Sequence, residues 1–114
     1  MIGLSKKAQT SRKEPLKQNQ TKDSAFLSWM HSQGYGCIVC NNPQIELHHV
    51  KEHSSDVKND HEVLTLCEFH HKYSNYLSPH GSPKKWREVY PIEVQRAMAQ
   101  KYYEEYKNEN MDTN

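Results

Sequence analysis

The sequence predicts a small α+β domain, and three observations predict it. Paired metal-ligand residues occur twice, as Cys37-Ile38-Val39-Cys40 and as Cys67-Glu68-Phe69-His70. Between the pairs lie two short strand-like runs, 45–50 and 63–66, the first alternating and the second β-branched and apolar. On either side, apolar residues recur at helical spacing, at Phe26, Leu27, Trp29 and Met30 and again from Trp86 onward.

The two pairs supply three thiolates and one imidazole, two ligands from each of two short turns, which is what a closed tetrahedral zinc site requires. Cys37, Cys40, Cys67 and His70 are therefore the expected structural zinc ligands. Three cysteines cannot all pair within one chain, and zinc uses all three without remainder. A redox Cys-x2-Cys beside an unrelated third cysteine is the weaker alternative. A staple also suits the composition: with 114 residues, 34% of them hydrophobic, and a mean hydropathy of -1.06, the chain has a small core to build. Trp29, Trp86, seven tyrosines and two phenylalanines must supply much of it. No apolar run approaches the roughly 18 residues of a membrane span, and the start lacks a secretory signal pattern, so a cytoplasmic protein with no membrane partner is expected.

In chain order, residues 1–22 read as a disordered basic arm. Lys6, Lys7, Arg12, Lys13, Lys17 and Lys22 stand there against the single acid Glu14, a net +5, whereas nine bases and thirteen acids give the remainder -4. Such an arm suits the phosphates of a polyanion. The domain proper is expected over 23–107. A helix begins at Asp23 or Ser24 as N-cap and stops at Gly34 and Gly36. Residues 51–60 carry charge of both signs and read as an exposed loop without fixed structure. A helix over 68–77 is broken by Ser78-Pro79-His80-Gly81, after which Ser82 caps a helix with Pro83 at its first position. Pro91 opens the last helix, and 108–114 is expected to fray.

Once zinc has its four ligands, a second set remains. It comprises His48 and His49 on or at the end of the first strand, and His71 and Asn75 four apart on one face of the expected helix. Strand alternation sends His48 and His49 to opposite faces, so both serve one site only where the strand twists or ends. His31, His53, His61 and His80 read as surface or capping residues, His61 being the best exception.

The string Cys37-x2-Cys40, His48-His49-Val50, Leu66-Cys67-x2-His70-His71 and Asn75 resembles the HNH, or ββα-metal, nucleases in their zinc-stapled form. Phe26-Leu27-Ser28-Trp29, the two His-His doublets, and His80-Gly81 followed by Trp86 and Tyr90 bring it closest to the phage recombination enhancement function (Ref) nucleases, over residues 24–106. The resemblance implies a small zinc-stapled ββα-metal core with flanking helices, acting as a metal-dependent DNA endonuclease in recombination, with a RecA filament as a possible partner. It implies His49 as general base, with His48, His71 and Asn75 holding a catalytic Mg²⁺ or Mn²⁺ ion. Asn75 stands where Ref-like sequences more often carry a further His. Lys72, beside His71, and Lys84, Lys85 and Arg87 are candidate phosphate contacts that add to the arm. The alternative is a non-catalytic zinc-stapled DNA-binding module, or a zinc scaffold for a protein partner. The sequence leaves oligomeric state open.

Overall fold

The computed structural model describes residues 20–112, with side chains through 110. Most of the expected arm, including Lys6, Lys7, Arg12, Lys13 and Lys17, lies outside those residues. The elements are α1 (Ser24–Ser32), β1 (Glu46–His49), β2 (Val63–Leu66), a π-helical turn (Phe69–Tyr73), α2 (Pro83–Val89) and α3 (Ile92–Asp112). Helices beside a two-stranded antiparallel sheet make the α+β class expected from the sequence.

Asp23 caps α1 as expected, its Oδ1 accepting the Phe26 N–H at 3.0 Å, and Gly34 leaves the helix at φ 79°. β1 and β2 pair with His48 opposite Leu64 and His49 opposite Val63. Every residue of β2 is buried, because the strand is covered on both sides. Leu64 and Leu66 pack with Cys37, Cys67, Trp86 and Ala99, whereas Val63 packs with Phe26 and Met30 of α1. This is why the run Val63-Leu64-Thr65-Leu66 reads as uninterrupted rather than alternating.

The first knuckle is tied to this strand by Ile38 N–H donating to the Thr65 carbonyl at 3.0 Å and by Thr65 Oγ1 donating to Gly36 O at 2.7 Å. β2 thus runs directly from the first knuckle's anchor into the second knuckle. Two aromatic-rich elements then close the other side. Phe26 and Trp29 of α1 meet Tyr103 and Tyr106 of α3 with ring centroids 5.1 to 5.3 Å apart, a spacing that favours edge-to-face contact.

Three expectations are corrected. The helix over 68–77 is instead a five-residue π-helical turn: Ser74 donates to Phe69 O, then turns extended at ψ 131°, and its Oγ accepts the N–H groups of Tyr76 and Leu77. The loop 51–60 is ordered by Asp56, whose Oδ2 accepts from both Glu52 and His53 N–H at 3.0 Å. The tail does not fray from 108, since α3 continues to Asp112. Trp29 Nε1 donates to Glu109 at 2.7 Å and Tyr35 donates to Glu105, so a polar stretch with little apolar signal is held from α1 and the loop after it.

The arm boundary also shifts inward. Thr21 N–H donates to Lys58 O and Asp60 N–H to Thr21 O, forming a short parallel bridge between residue 21 and residue 59. Lys22 follows it as an exposed residue.

Candidate metal centres

The two knuckles bring Cys37, Cys40, Cys67 and His70 into one cluster. Cys40 Sγ lies 3.7 Å from Cys67 Sγ, and His70 Nδ1 lies 3.4 Å from Cys67 Sγ and 3.9 Å from Cys37 Sγ. A tetrahedral zinc with bonds of about 2.3 Å to sulfur and about 2.0 to 2.1 Å to nitrogen has ligand-to-ligand edges of about 3.8 and 3.6 Å. The donors are therefore already at the separations that zinc needs. Val39 N–H donates to Cys37 Sγ, as suits a thiolate. Burial raises the Cys37 thiol, but the N–H groups of Cys67, Cys40 and Val39 outweigh it and draw it below the usual thiol range; Cys67 is pushed up by burial and by the other two sulfurs. Three crowded sulfurs resist ionising together without a cation among them, and these four residues could hold a metal such as zinc.

The second cluster is His48, His71 and His80, whose ligand nitrogens lie within 4.8 Å of one another. Ring centroids are 5.2 Å apart for His48 and His71, 5.4 Å for His48 and His80, and 5.0 Å for His71 and His80. Local folding explains each. His48 leaves β1 on the face that meets Trp86. His70 and His71 are consecutive in the π-helical turn, so one turn gives one imidazole to each cluster; such turns are frequent at functional sites. His80 is brought back by the buried Ser78, whose Oγ accepts from Gly81 N–H at 2.9 Å and His80 N–H at 3.3 Å. Gly81 permits this close return, since a Cβ there would lie 2.6 Å from Ser74 O.

The environment disfavours charge on two of these rings, His48 and His80, and neutral imidazole is the form that binds cations. Burial, and then the rings of His71, His80 and His49, lower His48 from 6.5 to about 3, and burial with His71 and Lys72 also lowers His80. His71 Nδ1 is 2.7 Å from Glu46 Oε1, and Glu46 is held below the usual carboxylate range first by that hydrogen bond. An ionised Glu46 fixes the proton on Nδ1 and leaves His71 Nε2 free as a ligand.

No family model, curated protein or solved structure matches the chain. A cleft of about 500 Å³ is lined by His48, His49, His71 and His80 together with Lys51, Lys58, His53 and Arg87. β1 ends at His49, and although His48 and His49 leave on opposite faces both reach this cleft. His49 Nε2 lies 2.7 Å from Asp60 Oδ1.

Asn75 does not join them. It is exposed, beyond the extended Ser74 that ends the turn, and it does not line the cleft, so the four-apart relation to His71 is lost with the helix. His80, expected to be a surface or capping residue, stands in the cluster instead. Lys72 is paired with Glu46 at 3.6 Å outside the cleft lining, and Lys85 lies over the Tyr76 ring. Arg87 is the one of the three later candidate cations that reaches the cleft. Sequence reasoning missed Glu46, although a carboxylate two residues before a ligand on one strand face was a usable signal. It also missed Lys51, Lys58 and Asp60, which no spacing marks. No helix among the described residues is long and apolar enough to cross a membrane.

Proposed function

We propose that this chain is a metal-dependent DNA endonuclease that hydrolyses phosphodiester bonds, of the zinc-stapled HNH type and akin to the Ref nucleases. The observation that carries the reading is that a three-histidine cluster and a carboxylate-bound histidine share one cationic cleft, beside a separate Cys3His cluster. The order of hairpin, knuckle and short helical turn supports the ββα-metal comparison. Zinc on Cys37, Cys40, Cys67 and His70 holds the turn that carries His71.

His48, His71 and His80 are the residues that would hold the catalytic ion. Bound there, a divalent cation supplies charge stabilisation to the phosphate and the leaving oxygen. An all-imidazole donor set suits Mn²⁺ or another transition ion better than Mg²⁺, which prefers oxygen ligands. His49 takes the proton from the attacking water, a task for which neutral imidazole is suited near neutral pH. Lys51, Lys58 and Arg87 hold the flanking phosphates, and the arm residues Lys6, Lys7, Arg12, Lys13, Lys17 and Lys22 extend that hold along the backbone.

Supercoiled plasmid incubated with the protein and Mn²⁺ or Mg²⁺, with and without RecA and ATP, tests the reading. Nicked or linear product that disappears with EDTA is expected, faster in Mn²⁺. Retarded plasmid without a cut under every condition would leave the zinc-stapled binding module in its place.

A further inference from the structure

His49 is not held by its own strand alone. Its Nε2 lies 2.7 Å from Asp60 Oδ1, and the other oxygen of that carboxylate accepts the Asp23 N–H at 2.8 Å. The Asp60 N–H in turn donates to Thr21 O at 3.0 Å, so residue 60 is gripped through both backbone and side chain by the root of the N-terminal segment. Asp23 is fixed at the same time, since its Oδ1 caps α1 and its Oδ2 meets His61 Nε2 at 2.9 Å. His61 stacks on Tyr103 of α3 with centroids 3.8 Å apart. The chain of contacts from His49 thus ends in the packed aromatic core.

A carboxylate that is ionised can only accept hydrogen bonds, so the nitrogen facing it must carry the proton. We propose that Asp60, clamped by residues 21–23, is a positioning residue that locks neutral His49 as the Nε2–H tautomer and so leaves Nδ1 as the basic nitrogen. The assignment of roles in cleavage rests on the nuclease reading, whereas the tautomer itself does not. The N-terminal segment acquires a second task from this geometry: besides its charge, its last residues hold the group that orients His49.

Asp60→Asn is the decisive variant because the two neighbours of residue 60 are unequal. The Asp23 backbone N–H can only donate, so the asparagine oxygen must turn to it, and the asparagine NH2 then faces His49 Nε2. That forces the proton onto Nδ1.

Long-range ¹H–¹⁵N correlation spectra of the full chain, labelled in its histidine rings, report the tautomer directly, and plasmid nicking reports its consequence. The parent is expected to show protonated Nε2 and bare Nδ1 at His49, Asp60→Asn the reverse, and Asp60→Glu the parental form. In nicking, Asp60→Asn should lose about 10²- to 10⁴-fold in kcat with little change in KM, the scale of a misplaced or mis-protonated base. A parent whose His49 carries its proton on Nδ1 overturns the proposal whatever the variants do. So does an Asp60→Asn protein that keeps Nε2–H. If no form of the protein nicks DNA while the tautomers behave as expected, the nuclease reading fails and the positioning role of Asp60 stands.

Discussion

His80 and Asn75 differ in what surrounds them rather than in what precedes them in the chain. Asn75 has the right spacing from His71 for a helix, but the turn ends at Tyr73, and His80 returns through a serine-centred turn that spacing rules do not describe. Removing His80 should therefore raise the Mn²⁺ needed for half-maximal cleavage, and Asn75→Ala should not. Glu46→Gln should raise it by about 10- to 100-fold, the usual worth of a carboxylate that orients a ligand histidine. Titration of nicking rate against Mn²⁺ checks all three. His48 carries a pH signature as well. Its folded value, about 3, lies below its ordinary 6.5, so as pH falls from 6.5 the unfolded chain takes up the proton first. Stability is fully present above that range and declines toward pH 3, by up to about 1.4 kcal/mol for each pH unit. Urea midpoints of the parent between pH 7 and 5 should fall more steeply than those of His48→Gln, because any loss of metal from the Cys3His cluster would be common to both proteins.

The pairs of cysteine and histidine made the knuckles legible, because two-residue spacing within a turn is a local property. The strands, the Asp23 cap of α1 and the start of α2 at Pro83 were legible for the same reason, since each acts on its own neighbours; Ser82 stands at the N-cap position of α2, but its Oγ accepts the Ser78 N–H rather than capping the helix. The π-helical turn, the ordered loop at Asp56 and the full length of α3 were not, since each depends on partners or backbone turns that composition does not record. Glu109 reaches Trp29 across 80 residues of sequence. Zinc is expected to matter most at this scale, where it joins a knuckle anchored on β2 to the turn that carries His71. Cys67→Ala should lose the metal, and chelation of the parent should unfold the domain, read as loss of near-ultraviolet dichroism from the Trp86 environment. A metal-free protein with parental stability would contradict the staple.

Across the whole molecule, the two groups of cations proposed to hold phosphates are joined through one edge. The cleft offers Lys51, Lys58 and Arg87, and the N-terminal segment joins the body at the Lys58 carbonyl, beside that same rim. Deleting 1–19 removes five of the arm's six basic residues yet keeps the clamp on Asp60. That protein should bind DNA more weakly, with its log-log salt slope reduced by about 0.9 for each phosphate the arm no longer neutralises, and retain its kcat. Deleting 1–22 should lower kcat as well. The charge of the arm was legible in the sequence; its root as part of the site was not, because the bridge between residues 21 and 59 has no pattern in either segment. On the proposed function, the histidine cleft does the chemistry and the Cys3His knuckles only support it. The most direct test is the single-turnover nicking rate of zinc-loaded His49→Ala against the parent at saturating Mn²⁺. Equal zinc content and DNA affinity with a rate lowered by about 10²-fold or more is expected; equal rates in the two proteins would contradict a catalytic role for the cleft.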